Sequence, residues 1–124
     1  ALDGAEARAN CFLREGRALG RAAAAASLAT TGTAPESIGA IVFTSCSVPT
    51  IPSLETLIMQ DLGFPPTTPR VPIFQYGCAG GASGLSLAHR LAAAGAPVLL
   101  LSVELCSLIY QGGDRSRGNL VGSA

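Results

Sequence analysis

Between Gln75 and Ala88 the chain reads Gln-Tyr-Gly-Cys-Ala-Gly-Gly-Ala-Ser-Gly-Leu-Ser-Leu-Ala, an apolar run passing through Gly77 and Cys78 into a stretch of small residues. Cys78 falls at the expected N-terminus of a helix, where unpaired backbone N–H groups and the helix dipole favour negative charge. Such a place stabilises a thiolate, the form of cysteine that attacks a thioester carbonyl. The same N–H groups can hold the oxyanion that forms during attack. Gly77 permits a tight turn that aims the next side chain out of the sheet, as in a nucleophile elbow. The competing reading of Cys78 is a small buried hydrophobe, the commonest role of a lone cysteine. Local chemistry leaves the two open.

Glycines 80, 81 and 84 each cost a helix about 1 kcal/mol relative to alanine, so something must offset roughly 3 kcal/mol. Close approach of neighbouring backbone is the usual compensation, which predicts a nucleophile-bearing helix buried on all sides. A cysteine nucleophile works with a base, and the sole histidine, His89, stands eleven residues further along. At about 1.5 Å per residue an intact helix puts it roughly 16 Å from Cys78, out of contact. A phosphate-cradling loop is a weaker rival. The Gly-x-Gly-x-x-Gly pattern would need glycine where Ala79 stands, and the chain has no lysine for a P-loop.

The flanking sequence supplies the elements that would position this thiol. Residues 13–31 have a helical composition ending near Gly32 and Pro35. Ile38 to Phe43 reads as a strand buried on both faces, followed by Thr44, Ser45, Cys46 and Ser47. Ser53 precedes Leu54, Leu57, Ile58 and Leu62 at helical spacing, and Gly63 ends that helix. Arg70 to Tyr76 is a second strand, Ala79 to Ala94 a helix and Pro97 to Leu105 a third strand, while 111–118 reads as a surface loop. Alternating strands and helices predict an α/β layered fold with a mostly parallel sheet.

At 124 residues the chain is at most one domain, and 48% hydrophobic against 13% charged residues implies that part of its surface meets more protein. All eight positive charges are arginine, balanced by eight acidic residues, so no basic stripe is available for nucleic acid. The longest apolar runs fall far short of the roughly 18 residues of a membrane span. No secretory leader marks the start, so cytoplasm is the expected location. Cys11, Cys46, Cys78 and Cys106 are widely spaced without a Cys-x-x-Cys pair, which predicts free thiols and neither a structural metal site nor a disulfide framework.

Beyond these local readings, Gly77-Cys78-Ala79-Gly80-Gly81 with Gly84-Leu85 and Ala88, then Ser102-Val103-Glu104-Leu105-Cys106-Ser107-Leu108, resembles the bacterial type III polyketide synthases. Asp114, Ser116 and Asn119-Leu120-Val121-Gly122-Ser123-Ala124 are similar in the same way. So are Phe43-Thr44-Ser45-Cys46, Pro52-Ser53 and Leu62-Gly63-Phe64 upstream. The resemblance runs from about Phe12 to the last residue in one consistent order. It implies a thiolase-like layered α-β-α fold, of which residues 1–124 are part of the N-terminal domain. It also implies a homodimer that loads an acyl group from acyl-CoA onto Cys78. Decarboxylative condensation with malonyl-CoA and cyclisation to a pyrone or resorcinol-type product follow, with coenzyme A thioesters as substrates and no cofactor.

In that family a histidine and an asparagine from the second half complete the site. Members extend past both ends of the present sequence, so a fragment of a longer protein, inactive alone, is expected. Carried over by position, Cys46, Glu104, Cys106 and Ile109 resemble residues of the active-site cavity, with Glu104 a candidate buried carboxylate. Thr50 and Ile51 fall where members reach across the dimer interface. A ketoacyl synthase or thiolase shares the nucleophile geometry and is the alternative enzyme, although such enzymes usually differ in the glycines after the cysteine.

Overall fold

The computed structural model describes residues 4–122. Helix α1 (Ala5–Cys11) passes through a π-helical turn, Phe12–Gly16, into α2 (Arg17–Thr31). Helix therefore begins well before residue 13, because Ala5, Glu6, Ala7 and Arg8 are good helix formers and Phe12 is anchored in the core with no exposed surface. On α2 the residues turned inward are Gly20, Ala24 and Leu28, one face at four-residue spacing. Gly32 closes α2 in the left-handed conformation, its N–H reaching Ala29 O and the next N–H reaching Leu28 O.

Strand β1 (Ala40–Ser45) follows a 3-10 turn at Pro35–Ser37. Next come α3 (Leu54–Leu62), β2 (Arg70–Phe74), a 3-10 turn at Gly77–Ala79, α4 (Gly80–Ala92), β3 (Val98–Ser102), a 3-10 turn at Cys106–Leu108 and α5 (Arg117–Gly122). Among the described residues the three strands are all parallel, in the order β2-β1-β3. Ile41 pairs with Arg70 and Leu99, and Thr44 with Ile73 and Ser102. The α/β layered architecture is as the sequence predicts.

Alternation along the strands divides the sheet into two faces. Ile41, Phe43, Leu99, Leu101 and Val103 join Phe12, Ala24, Leu28, Leu54 and Ile58 of the helical layer in one core. Val42, Thr44 and Leu100 face α4 on the other side. Burying such a Phe, Leu or Ile side chain stabilises by about 1.5–3 kcal/mol, so the α2–α3 side carries most of the cohesion. At Gly20 an added Cβ would stand 2.6 Å from Ile58 Cδ1, a measure of how closely α2 lies on α3. Arg17 on α2 grips Asp61 on α3 with two hydrogen bonds, Nε to Oδ2 at 2.7 Å and Nη2 to Oδ1 at 2.6 Å.

Several boundaries differ from the sequence expectation. The first strand runs over 40–45 instead of 38–43, since Ile38 closes the preceding 3-10 turn, Thr44 finds ladder partners on both sides and Ser45 pairs with Phe74 of β2. The second ends at Phe74, where Gln75 turns to a φ of 66°. The third ends at Ser102, beyond which one more backbone bond, Val103 N–H to Thr44 O, precedes bonds made by side chains. The loop expected over 111–118 ends at residue 116, because Arg117–Gly122 is helical. Only β1 is covered on both faces; β2 and β3 are the sheet edges and are half-open. Ser123 and Ala124, part of the family resemblance, lie outside the described residues.

Helix α4 is not buried on all sides. Gly80, Gly84 and Ala88 press against the sheet while Leu85 is 63% exposed on the outer face. Only Gly84 has the tight approach expected of all three glycines, and side chains make it: its Cβ would stand 2.8 Å from Thr44 Cγ2 and 2.9 Å from Leu100 Cδ1. Gly81 meets nothing within 4 Å.

Two outcomes are expected. Thr44 is buried and held to Ser102, so it cannot yield to a methyl group. Gly84→Ala should therefore cost about 1–3 kcal/mol in urea unfolding of the 124-residue chain, whereas Gly81→Ala should add about 0.5–1 kcal/mol. Separately, the hydrogen bonds from Arg17 hold the Asp61 carboxyl below its usual range. A depressed carboxylate contributes stability that is present above its unfolded pKa and lost as pH falls through the folded one. The urea midpoint should thus drop in acid below the ordinary carboxylate range, and Asp61→Asn should remove that part of the slope.

Candidate active site

In a parallel sheet the loops that follow the strands gather at one edge, the place where open α/β folds bind ligands. Here that edge collects Cys46 after β1, the Gln75–Ala79 turn after β2, and Glu104 and Cys106 after β3. The β1–β3 ladder is extended beyond its last pair by other means. Val103 N–H donates to Thr44 O at 3.1 Å, and the Thr44 hydroxyl donates to Ser102 Oγ at 2.8 Å. Cys46 N–H then donates to Glu104 Oε1 at 2.8 Å, and the Ser47 hydroxyl donates to Oε2 of the same carboxylate. Leu105 N–H completes the clamp by donating to Ser47 Oγ at 2.8 Å.

Glu104 is thus a strap between two loops. The sequence reading made it a candidate buried carboxylate, but the residue is exposed, because its charge is satisfied by donors at the sheet edge without withdrawal into the core. Ser47 was not singled out by the sequence. Its partners lie 57 and 58 residues away, so no local pattern could reveal it.

Cys78 sits in the 3-10 turn Gly77–Ala79, one turn ahead of α4 instead of at its first residue. Two left-handed residues build the elbow, Gln75 at φ 66° and Gly77 at φ 52°. A positive φ on glutamine is uncommon. The side chain of Cys78 is exposed, which removes the buried-hydrophobe reading within this chain. Cys46 and Cys106 are exposed free thiols as well, while Cys11 is half-buried beside the core. The Cys46 thiol is pushed above its ordinary pKa, first by partial withdrawal from water, then by repulsion from and hydrogen bonding to Glu104, with smaller contributions from Cys106 and Cys78.

Ile109 is half-buried at the end of the Cys106–Leu108 turn. Thr50 and Ile51 lie further out on the β1–α3 loop. Thr50 Oγ1 is withdrawn from water with no partner among the described residues, and Ile51, ahead of a cis Pro52, is fully exposed. Beneath that loop Glu55, 1% exposed in the first turn of α3, accepts from the Ser53 hydroxyl and, at 3.5 Å, from Arg70 Nη1. Ser53 stands at the N-cap as expected, but its hydroxyl serves Glu55 and not the helix backbone. His89 lies in the last turn of an unbroken α4, away from Cys78 as its spacing predicts. Among the described residues no His, Cys, Asp and Glu cluster could hold a metal ion, and no helix is long and apolar enough to cross a membrane.

Comparison with known proteins gives this edge a context. The family described as chalcone and stilbene synthases, N-terminal domain, matches residues 3–124. A putative chalcone synthase of Bacillus subtilis (strain 168) is 44% identical over 91 residues, covering 72% of this chain and 25% of that protein. A 1,3,6,8-tetrahydroxynaphthalene synthase of Streptomyces griseus is 41% identical over 96 residues, covering 76% and 26%. The crystal structure of 1,3,6,8-tetrahydroxynaphthalene synthase from Streptomyces coelicolor A3(2), a bacterial type III polyketide synthase, superposes with a TM-score of 0.89 at 32% identity. The match covers 98% of this chain and 35% of that one. The chain thus spans about a quarter of the length of these two curated relatives.

The elbow's backbone requirement is directly testable. A Cβ at Gly77 would meet nothing within 4 Å, so only its left-handed conformation opposes a side chain. Gly77→Ala should cost about 1–2 kcal/mol in urea unfolding. A variant as stable as the parent would show that the turn adopts another conformation.

Proposed function

From the premise that this chain belongs to the chalcone and stilbene synthase family, we propose that it is the nucleophile-bearing part of a type III polyketide synthase, with Cys78 as the acyl-carrying thiol. On this reading residues 1–124 form part of the N-terminal thiolase-like domain. The single observation that supports it best is an exposed cysteine on a two-residue left-handed elbow at the C-terminal edge of a parallel sheet.

The chemistry runs in two steps. The Cys78 thiolate attacks the carbonyl of an acyl-CoA and expels the coenzyme A thiolate, leaving the acyl group on sulfur. Malonyl-CoA then loses carbon dioxide, and the carbanion formed attacks the Cys78 thioester, forming a carbon–carbon bond and releasing the Cys78 thiolate. Repetition and cyclisation give a pyrone or resorcinol-type polyketide. Backbone N–H groups at the start of α4 are proposed to hold the developing oxyanion, as unpaired donors at a helix N-terminus can. The base is not His89, which α4 carries away from the thiol; the histidine and asparagine of the family pattern are proposed to come from sequence beyond these residues.

Cys46, Glu104, Cys106 and Ile109 are proposed to line the substrate cavity. Their attachment to the same sheet edge as Cys78 supports this. Thr50 and Ile51 are proposed to meet a second copy in a homodimer, supported by a fully exposed isoleucine next to a water-shielded hydroxyl that has no partner among the described residues. Four free cysteines accord with a reducing, cytoplasmic setting.

Incubating the full-length protein with a fatty acyl-CoA, followed by intact mass and peptide mapping, tests the central assignment. An acyl adduct on Cys78 is expected. Cys78→Ala should abolish loading, on the order of 10³-fold or more, as for other activated nucleophiles. Cys11→Ala should load normally, since Cys11 sits at the end of α1 beside the core. Equal loss in both variants would overturn the assignment.

A further inference from the structure

Residues 109–116, between the Cys106–Leu108 turn and α5, form no regular element, and all but Ile109 are exposed. A surface segment of this kind ordinarily samples many shapes, because ordering it costs conformational entropy. Here one side chain ties it down. Asn119, half-buried on α5 between exposed neighbours, donates from Nδ2 to two carbonyls of the segment, Gln111 O at 2.8 Å and Asp114 O at 2.6 Å. Both hydrogens of that amide nitrogen thus have a partner in the segment. The two carbonyls bracket a turn that Asp114 N–H closes by donating to Gln111 O at 3.0 Å. The Asp114 carboxylate accepts in turn from Ser116 N–H at 2.8 Å and from the Ser116 hydroxyl at 3.0 Å.

The other end of the segment is fixed differently. Leu108 is buried in the core, and Ile109 N–H donates to Cys106 O at 3.0 Å. Ile109 and Tyr110 therefore hang between two anchors, a core leucine and a carbonyl held by Asn119. Gly112 belongs to the same arrangement. A Cβ there would stand 3.3 Å from Tyr110 Cε1, so the tyrosine ring lies close against the clamped backbone.

We propose that Asn119 is a positioning residue: by clamping Gln111 and Asp114 it sets where Ile109 stands in the substrate cavity, and thereby how far a polyketide chain grows. The inference rests on the reading in which Ile109 lines that cavity. Asn119 acts through the two carbonyls and touches no reacting atom. Its side chain suits the task, since one planar nitrogen fixes both carbonyls relative to each other. A carboxylate of the same size has no donor and would face two carbonyl oxygens, so size and hydrogen bonding can be separated by mutation.

The full-length protein is compared with Asn119→Asp, Asn119→Ala and Ser116→Ala. The first keeps the size of the side chain and removes both donors, and the second removes them without adding charge. The third breaks the bonds to Asp114 and leaves Nδ2 in place. With a fatty acyl-CoA and malonyl-CoA, both Asn119 variants should shift the ratio of longer to shorter polyketides on the order of threefold or more, the effect of about one lost hydrogen bond. Acyl loading on Cys78 should change less than about twofold. Ser116→Ala should keep the product ratio of the parent. Hydrogen exchange of peptides covering residues 109–116 should be on the order of tenfold faster in the Asn119 variants. An unchanged product ratio, unchanged exchange, or an equal shift in Ser116→Ala would overturn the proposal. Parallel loss of Cys78 loading and of product in both Asn119 variants would also overturn it, by showing a general loss of fold. A parent protein in which acyl-CoA never labels Cys78 would defeat the proposed function, and the exchange comparison would still decide whether Asn119 holds the segment.

Discussion

Strand β1 is hydrogen-bonded on both sides by parallel partners, and the rest of the molecule is arranged around that fact. A strand in this position has its backbone groups taken up by neighbours and its side chains covered above and below, and all six of its residues are buried. Alternation sends Ile41 and Phe43 into the helical core and Val42 and Thr44 towards α4. The strand therefore fixes the heights of both helical layers. Where its ladder ends, at Ser45, the donors that follow would be orphaned at an open edge. Glu104 and Ser47 meet that need with side-chain oxygens, so the strap at the site is the continuation of the sheet by other chemistry.

The same strand sets the position of the elbow. Gly84 lets α4 settle against Thr44 and Leu100 at distances a side chain would not allow. The close seat brings the start of α4, and the turn that carries Cys78, down onto the sheet edge. Gln75 and Gly77 absorb the abrupt change of direction in left-handed conformations. The glutamine is the more strained of the two, since a side chain opposes that conformation where glycine has none.

Much of this was legible in the sequence because it is local. The β-branched run from Ile38, the Ser53 and Gly63 boundaries of α3, the glycine–cysteine turn and the displacement of His89 all follow from spacing within a dozen residues. The parts that were not legible depend on partners far along the chain. Thr44 and Ser45 read as loop because their polar side chains conceal a strand whose neighbours lie about 30 and 60 residues away. Glu104 was marked as a cavity residue, but its bonds to Cys46 and Ser47 span 58 and 57 positions. Gly81 carries the same composition signal as Gly84 and faces open space, since composition does not say which side of a helix meets the sheet. The buried Glu55 had no signal beyond being acidic in a first helical turn.

One consequence of the parallel arrangement concerns how such a protein can change over generations. At the opposite edge from the thiols, Gly39 lies so near Ala96 that a Cβ there would stand 2.6 Å from the alanine methyl, and its N–H bonds Pro97 O at 2.8 Å. That edge is closed to variation in size. The thiol edge is built from loops, 46–53, 75–79 and 103–116, whose backbones mostly leave the ladder before they vary in direction. Folding free energy and chemical behaviour are thus written at opposite ends of the same three strands. Substitutions that remodel the loops at one end need not be offset by repair at the other, and a lineage built on this sheet can vary its thiol edge without first losing its fold.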